Sequence, residues 1–458
     1  MMMTKRSLLA VFIVWLIINI SALSTEAIAQ QSKLQAGPML GYVEMMETGI
    51  WVQTTEPAAV TLNYWKSEDG EKSAQMAKVS TDKASFLIAK FLLTNLDFGT
   101  EYSYELAING KKLSFDYPLT FTTKEHWMWR KPAPDFRFAV GSCLYINDEK
   151  FDRPGTPYGG EYEILTSIAD QNPDFMIWTG DNVYYREPDF YSKSGLNYRN
   201  KHTRSISEMQ RLLATSAHYA TWDDHDYGPN DSSREYRLKE EALELFQAYW
   251  FNPSYGHDGT KGVFTKFDWS DVDFILTDNR YHRAPNDIND ADKDYWGAEQ
   301  LQWIKDQLIN SRATFKILVN GNQSVNMNNP YEGLQAYKRE QNELLSFIKD
   351  QEIEGVVFFS GDRHHTELLK FEQDGMYPLY EFTNSPLTAG FNSNLRSEEN
   401  NPLRVEGTKV NDSRSYGIVE VKGERDNRQM IIKTYDTDGE LRWEYVISEE
   451  ELTFGNGE

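Results

Sequence analysis

Between Phe136 and His365 the chain repeats one pattern six times: a short apolar run that ends abruptly in polar residues. Phe136–Val140 leads into Gly141-Ser142-Cys143, Phe175–Trp178 into Thr179-Gly180-Asp181-Asn182, and Tyr219–Trp222 into Asp223-Asp224-His225-Asp226. Phe274–Leu276 leads into Thr277-Asp278-Asn279-Arg280, Phe315–Val319 into Asn320-Gly321-Asn322-Gln323, and Val356–Phe359 into Ser360-Gly361-Asp362-Arg363-His364-His365. Short apolar runs separated by helical stretches read as buried strands of an α/β layered fold. The predicted helices are Glu161–Gln171, Ile206–Ala214, Ser233–Trp250, Ala298–Ser311 and Tyr337–Glu352. In open α/β sheets ligands sit beyond the C-terminal ends of the strands. Here those ends carry Asp, Asn, His, Gln, Arg and Cys, which loops at random would scatter.

Asp223, Asp224, His225 and Asp226 put three acids and a histidine in four residues. Such a cluster repels itself and costs desolvation unless water or a cation screens it. Carboxylates and imidazoles are also ligands for divalent and trivalent cations. A solvated acidic loop is the plainer reading of any one fragment. With Gly180-Asp181 and Gly361-Asp362-Arg363-His364 also at strand ends, the pattern points to a dinuclear metal site. Two neighbouring cations clamp a phosphate, deliver a hydroxide and stabilise the leaving oxygen. Asp181 is the best candidate for a bridging carboxylate, because Gly180 allows the tight turn that exposes it.

At 458 residues with 40% apolar and 14% aromatic content, two folded domains are expected. The formal charge of −23 argues against a general nucleic-acid or anionic-membrane surface. An anionic substrate must then be attracted locally, by cations or a few arginines. Lys5 and Arg6, the apolar run Leu8–Ile20 and Ala27-Ile28-Ala29 read as an export signal over residues 1–29 that leaves no membrane span once removed. The single cysteine, Cys143, rules out an intrachain disulfide. Residues 35–124 read as an all-β sandwich. Gly49–Thr55, Val60–Trp65 and Phe86–Leu92 are strand-like, and Asn109-Gly110 is a hairpin turn between Tyr102–Ile108 and Leu113–Phe121. Leu96–Tyr104 resembles the corner before the sixth strand of fibronectin III/Ig-like domains. Trp127–Pro134 is the predicted linker, and residues 135–450 form the α/β domain, closed by strands at Tyr416–Val421, Gln429–Tyr435 and Trp443–Ile447.

The motifs Gly180-Asp181, Asp223-Asp224-His225 and Gly361-Asp362-Arg363-His364 resemble the metallophosphoesterase pattern. Gly141-Ser142-Cys143 stands where the general pattern has Asp-x-His. That departure, Asp278-Asn279-Arg280-Tyr281-His282-Arg283, Gly321-Asn322-Gln323, Glu381–Thr388 and Tyr198-Arg199-Asn200-Lys201-His202 together resemble the PhoD-like alkaline phosphatases, over nearly the whole mature chain.

The resemblance implies an exported phosphatase acting on small phosphate mono- or diesters. It implies Fe3+ held by Cys143, Asp181 and Tyr198, with one or two Ca2+ or another divalent metal nearby. Tyr184, Tyr185 and Tyr191 compete with Tyr198 for the phenolate role. Asp224 and Asn230 are rival ligands of the second cation, and Asp362 and His364 complete the set, with His365 pointing away. His225 is the candidate proton donor to the leaving alcohol, or a partner of Asp181. Arg280, Arg283 and Gln323 are the candidate phosphate-binding residues. The alternatives are another metal-assisted hydrolase, for phosphonates or pyrophosphates, and a catalytically silent surface-binding module.

Overall fold

The structure, a computed structural model, describes residues 33–329, 331–393 and 400–455. The predicted export signal lies outside the described residues. The N-terminal strands are β1 Leu34–Val43, β2 Glu47–Thr54, β3 Ala59–Lys66, β4 Gln75–Ser80, β5 Ile88–Thr94, β6 Glu101–Ile108, β7 Lys111–Lys112 and β8 Thr120–Thr122. Then follow β9 Phe136–Gly141, α1 Ile164–Asp170, β10 Phe175–Thr179, α2 Lys193–Arg204, α3 Ser207–Thr215, β11 Ala217–Thr221, α4 Asp224–Tyr227 and α5 Lys239–Tyr249. Next come β12 Thr265–Trp269, β13 Val272–Leu276, α6 Ala298–Asn310, β14 Phe315–Val319, α7 Lys338–Asp350, β15 Val356–Ser360, β16 Glu367–Phe371 and β17 Leu379–Thr383. The chain closes with β18 Ser415–Lys422, β19 Gln429–Asp436 and β20 Leu441–Ser448.

Two sheets face each other in the α/β region. The inner face of one carries Phe138 and Phe175, stacked at 5.0 Å, against Phe274 and Phe359 of the other, at 5.2 and 5.9 Å from Phe138. Large aromatic faces of this kind contribute most of a core's buried apolar area. Helices α1, α3 and α5 pack with Ala139, Met176, Trp178 and Ala220 on the outer face. Strands β9, β10 and β11 run parallel to one another. So do β13, β14, β15 and β17 in the six-stranded sheet. All six predicted polar strand ends therefore open on the same edge of the paired sheets.

The N-terminal strands do form two sheets. The second runs β4-β3-β6-β7, with β8 also on β6. At the predicted corner Leu96 is buried and the Tyr102 hydroxyl accepts a hydrogen bond from the Asp97 N–H at 2.9 Å. The first sheet is not confined to an independent sandwich over residues 35–124 but continues into the α/β region. β1 pairs in parallel with β11, Leu40 opposite Ala217, so β1, β2 and β5 extend the central sheet to nine strands. This pairing covers what would otherwise be the open edge of β11. β1 escapes a reading by pattern because it contains Gly37-Pro38 and Gly41 and pairs with β2 through several register shifts. Gly41 is needed because a Cβ there would lie 2.7 Å from Phe251 Cβ. Helix α2 is also missed by pattern, since Lys193–Arg204 has little apolar content.

Side chains tie the two regions together. Trp51, fully buried on β2, donates from Nε1 to Ala248 O at 2.9 Å, and Gln53 donates to Tyr249 OH at 2.9 Å. Lys90 donates from Nζ to the carbonyls of Gln247 and Trp250 at the end of α5, where a cation suits the helix dipole. Trp51→Ala should remove about 3–5 kcal/mol of packing and strand one carbonyl. Because the sheet is shared, calorimetry is expected to show one cooperative transition moved to lower temperature. A separate N-terminal transition, with the rest unmoved, would contradict the continuous sheet.

Candidate metal centre

The site is built at the C-terminal ends of β9, β10, β11 and β15. Four of its side chains are held in left-handed backbone conformation: Cys143 (φ 58°), Asp181 (φ 53°), Asp362 (φ 70°) and His364 (φ 55°). Residues other than glycine rarely adopt this region, and such strain concentrates at functional sites. Glycines let the loops close on one another. A Cβ on Gly180 (φ +95°) would sit 2.7 Å from Asp223 Cβ, and one on Gly361 would sit 2.5 Å from Ser142 Cβ.

One group of donors is Cys143, Asp181 and His364, whose ligand atoms lie within 4.8 Å of one another. Tyr184 completes it, donating from its hydroxyl to Asp181 Oδ2 at 3.0 Å and lying 3.1 Å from His364 Nε2. The Cys143 thiol lies 3.6 Å from Asp181 Oδ2, and Ser385 donates to its sulfur at 3.1 Å. Tyr158 OH and Gly390 O meet the other imidazole nitrogen, Nδ1 of His364, at 2.9 and 2.5 Å. A second group is Asp181, Asp224 and His225, again within 4.8 Å. Asp181 belongs to both, which is the placement a bridging carboxylate needs. The ring of His225 stacks on Tyr184 with centroids 4.2 Å apart.

Beneath these lies a buried ionic network. Asp223 accepts from Arg280 Nε at 2.6 Å, from Asn279 at 2.8 Å and from Asn322 at 2.8 Å. Glu332 accepts from Arg280 Nη1 at 3.1 Å and from Arg283 Nη2 at 3.0 Å. Asp223, Asp224 and Glu332 also have metal-like spacing, but the Arg280 guanidinium already occupies the space between Asp223 and Glu332. Asp226 holds the motifs in register: its carboxylate accepts from the backbone N–H groups of Asp181 (3.3 Å), Asn182 (3.1 Å) and Asp223 (2.6 Å).

Burial dominates the electrostatics. Asp181 and Asp223 are held well above the usual carboxylate range by desolvation, Asp181 also by its acidic neighbours, with Arg280 opposing the rise at Asp223. Asp226 and Asp362 are pushed up to about 7, and the Cys143 thiol to about 11, all chiefly by burial. Burial lowers His225 and His364, so both rings are neutral and able to ligate. Asp224 Oδ1, His225 Nδ1 and Asp362 Oδ2 are buried without a hydrogen-bond partner in the described chain. Unpaired buried acceptors are costly, and three aimed into one acidic site fit a cation.

The structure brings together Cys143, Asp181, Asp224, His225, Asp362 and His364. Asp181, Asp224, His225, Asp362 and His364 line one cavity of about 600 Å3. Tyr198 is not brought there. It lies on α2, 40% exposed, and donates to Asp148 at 2.8 Å. Tyr184, three residues beyond Asp181 in the same loop, takes the position instead. Between the rivals for the second cation, Asp224 is buried with a free oxygen, whereas Asn230 is exposed at the cavity rim. Arg280 and Arg283 are fully buried and spent on Asp223, Glu332 and Asn322, so they neutralise acids rather than face the cavity. Gln323 is likewise buried behind the site, bonded to Glu367 at 2.8 Å and Thr383 at 3.0 Å. The guanidinium groups lining the cavity are those of Arg153, Arg186 and Arg363. His365 points away as predicted, to Glu367 at 3.2 Å. Tyr158 and Glu332 escape a sequence reading because no apolar run precedes them.

The family profile described as PhoD-like phosphatase matches residues 138–431. The chain belongs to the PhoD-like phosphatase family. Residues 31–125 match a second profile, described as a domain of unknown function (DUF7800). Alkaline phosphatase D of Bacillus subtilis (strain 168) is 23% identical over 340 residues, covering 62% of this chain and 56% of that protein. The chain thus aligns with little more than half the length of this curated relative. Among solved structures, that of PhoD superposes with a TM-score of 0.75 at 16% identity, covering 92% of this chain and 91% of that one. Purple acid phosphatase PPD1 from yellow lupin (Lupinus luteus) seeds gives a TM-score of 0.63 at 12% identity, covering 90% and 74%. At these identities the structural likenesses establish the PhoD-like fold, a β region plus an α/β phosphatase region.

The raised carboxylates set a pH dependence. A group whose folded pKa exceeds its unfolded value, near 4 for Asp, adds stability below the unfolded pKa and loses it as pH rises through the folded one. Metal-free protein is therefore expected to lose thermal stability between about pH 4 and the folded values near 7 of Asp226 and Asp362 and beyond. An added metal ion that binds the folded site should restore it most at the alkaline end. Thermal-shift titrations at pH 5–8, with chelator and with metal, check both signs.

Proposed function

We propose that this chain is an exported, metal-dependent hydrolase of small phosphate mono- or diesters. The observation that carries the reading is the convergence of buried donors, three of them with unpaired atoms, on one cavity at the strand ends. Family membership points the same way. The Cys143, Asp181, Tyr184 and His364 side suits Fe3+, since thiolate and phenolate are anionic donors fitted to a trivalent ion. The Asp224 and Asp362 side, rich in carboxylate oxygen, suits Ca2+ or another divalent ion. Bound there, such cations withdraw charge from the phosphate oxygens and acidify a water.

The chain's own residues then have separate tasks. Asp181 is shared by both donor groups. His225, neutral because it is buried, is better suited to ligation through its unpaired Nδ1 than to the acid role expected from sequence. Arg153, Arg186 and Arg363 supply the local attraction that a chain of charge −23 needs for an anionic substrate. Arg280 and Arg283 keep Asp223 and Glu332 from adding further negative charge. Lys5, Arg6, the apolar run to Ile20 and Ala27-Ile28-Ala29 support export. The N-terminal strand order, β1-β2-β5 facing β4-β3-β6-β7, supports a fibronectin III-like sandwich over residues 35–124, with the phosphatase domain over residues 135–450.

Loss of residues that merely orient a metal ligand costs about 10–100-fold, so Asp181→Asn is expected to lower kcat at least about 100-fold on a chromogenic phosphate. Tyr184→Phe should lower bound iron and remove part of the visible ferric absorption, while Tyr198→Phe leaves both unchanged. Purified protein free of iron and of divalent metal, or wild-type turnover by Asp181→Asn, would sink the reading.

A further inference from the structure

The mouth of the cavity is built differently from its floor. Tyr331 (61% exposed) and Phe391 (38% exposed) line the same cavity as Asp181, Asp224 and His364. They are large aromatic rings, and they stand exposed at the opening of a concave polar site rather than singly on the open surface. Tyr331 is not loose: its backbone N–H donates to Asn329 Oδ1 at 2.9 Å, and the Arg363 guanidinium lies 4.8 Å from its ring centroid. A second guanidinium–phenol stack, Arg153 on Tyr158 at 4.0 Å, lines the same cavity. Asn230, exposed at the rim, and Asn392 add amide edges. At about 600 Å3 the cavity falls within the range of small-molecule sites, about 300–1,000 Å3, and holds far more than a phosphate group.

We infer that this mouth is a stacking subsite for a nucleobase carried on the alcohol side of the substrate, with Tyr331 and Phe391 as its walls. The inference rests on the phosphatase reading for its connection to the reaction. Exposed arenes offer stacking to any flat ring. A purely hydrocarbon ring would be served by arenes alone. The exposed Arg153 guanidinium and Asn230 amide beside these rings suit a heterocycle, whose ring nitrogens and carbonyls accept hydrogen bonds. A nucleoside phosphate would therefore place its phosphate over the acidic floor and its base between the rim rings. Tyr331 and Phe391 are specificity residues in this reading and take no part in bond breaking.

The test uses metal-loaded full-length protein with adenosine 5′-monophosphate and glycerol 3-phosphate, esters of similar leaving alcohols that differ in the base. One stacked base contributes about tenfold in affinity, so KM should be about tenfold lower for the nucleotide. The double variant Tyr331→Leu/Phe391→Leu should raise KM for the nucleotide to that for glycerol 3-phosphate, with kcat and the glycerol 3-phosphate parameters unchanged. Saturation-transfer NMR with adenosine alone reads the subsite without turnover: signal is expected with wild type and absent with the double variant. Equal KM values in wild type, equal loss on both esters, or no adenosine signal would overturn the inference. Adenosine binding without hydrolysis of either ester would instead overturn the phosphatase reading and leave the subsite standing.

Discussion

The structure depends on an imbalance of buried charge. Asp181, Asp223, Asp224, Asp226 and Glu332 are all buried at one edge of the paired sheets, with the guanidinium groups of Arg280 and Arg283 among them and Arg363 beside Asp362. The first two arginines are committed to Asp223 and Glu332, where the latter is held well below the usual carboxylate range by the charge of Arg280 and Arg283 against the cost of burial. Asp226 is served by backbone N–H groups instead. What is left is Asp181 with oxygens of Asp224 and Asp362 that accept no hydrogen bond among the described residues, Arg280 lying 4.0 Å from the first and Arg363 3.7 Å from the second. The chain can retain so costly an arrangement only if protons or metal ions complete it.

That deficit explains why the surrounding backbone is so constrained. Ligand atoms must meet within a few ångströms although they come from strands in two different sheets. The loops achieve this through left-handed turns at Cys143, Asp181, Asp362 and His364, and through close glycine contacts at Gly180 and Gly361. Each turn is strained, and the paired aromatic sheets beneath fix the strand ends firmly enough to hold it. The N-terminal β region contributes to the same rigidity. By continuing the sheet past β11 it anchors the strand that leads directly into Asp223 and Asp224.

Much of this was legible in the sequence because it rests on short-range pattern. Apolar runs ending in Asp181, Asp224 and Asp362 mark strands and candidate ligands together, since burial requires one chemistry and the open end another. What depends on contact across the fold was not legible. Tyr198 and Tyr184 have the same side chain, and only the packing of α2 against solvent separates them. Arg280 and Arg283 sit in a phosphate-binding type of motif, yet their role is decided by Glu332, a loop residue about 50 positions later. β1 was hidden because Gly41, which lets Phe251 approach, and Gly37-Pro38 break the strand pattern.

The same comparison separates the two halves of the site in kind. Its floor is over-determined: buried, hydrogen-bonded, strained and matched in residue type by the family pattern. Its mouth is set by side chains on loops, Tyr331, Phe391 and Arg153, that no periodicity constrains. In the proposed function the strand ends carry the chemistry and the loops above them the choice of substrate, since a rigid fold can alter such loop residues without disturbing the candidate ligands below. Substrate preference in this chain should accordingly follow the rim, whereas metal content should follow Cys143, Asp181 and Tyr184.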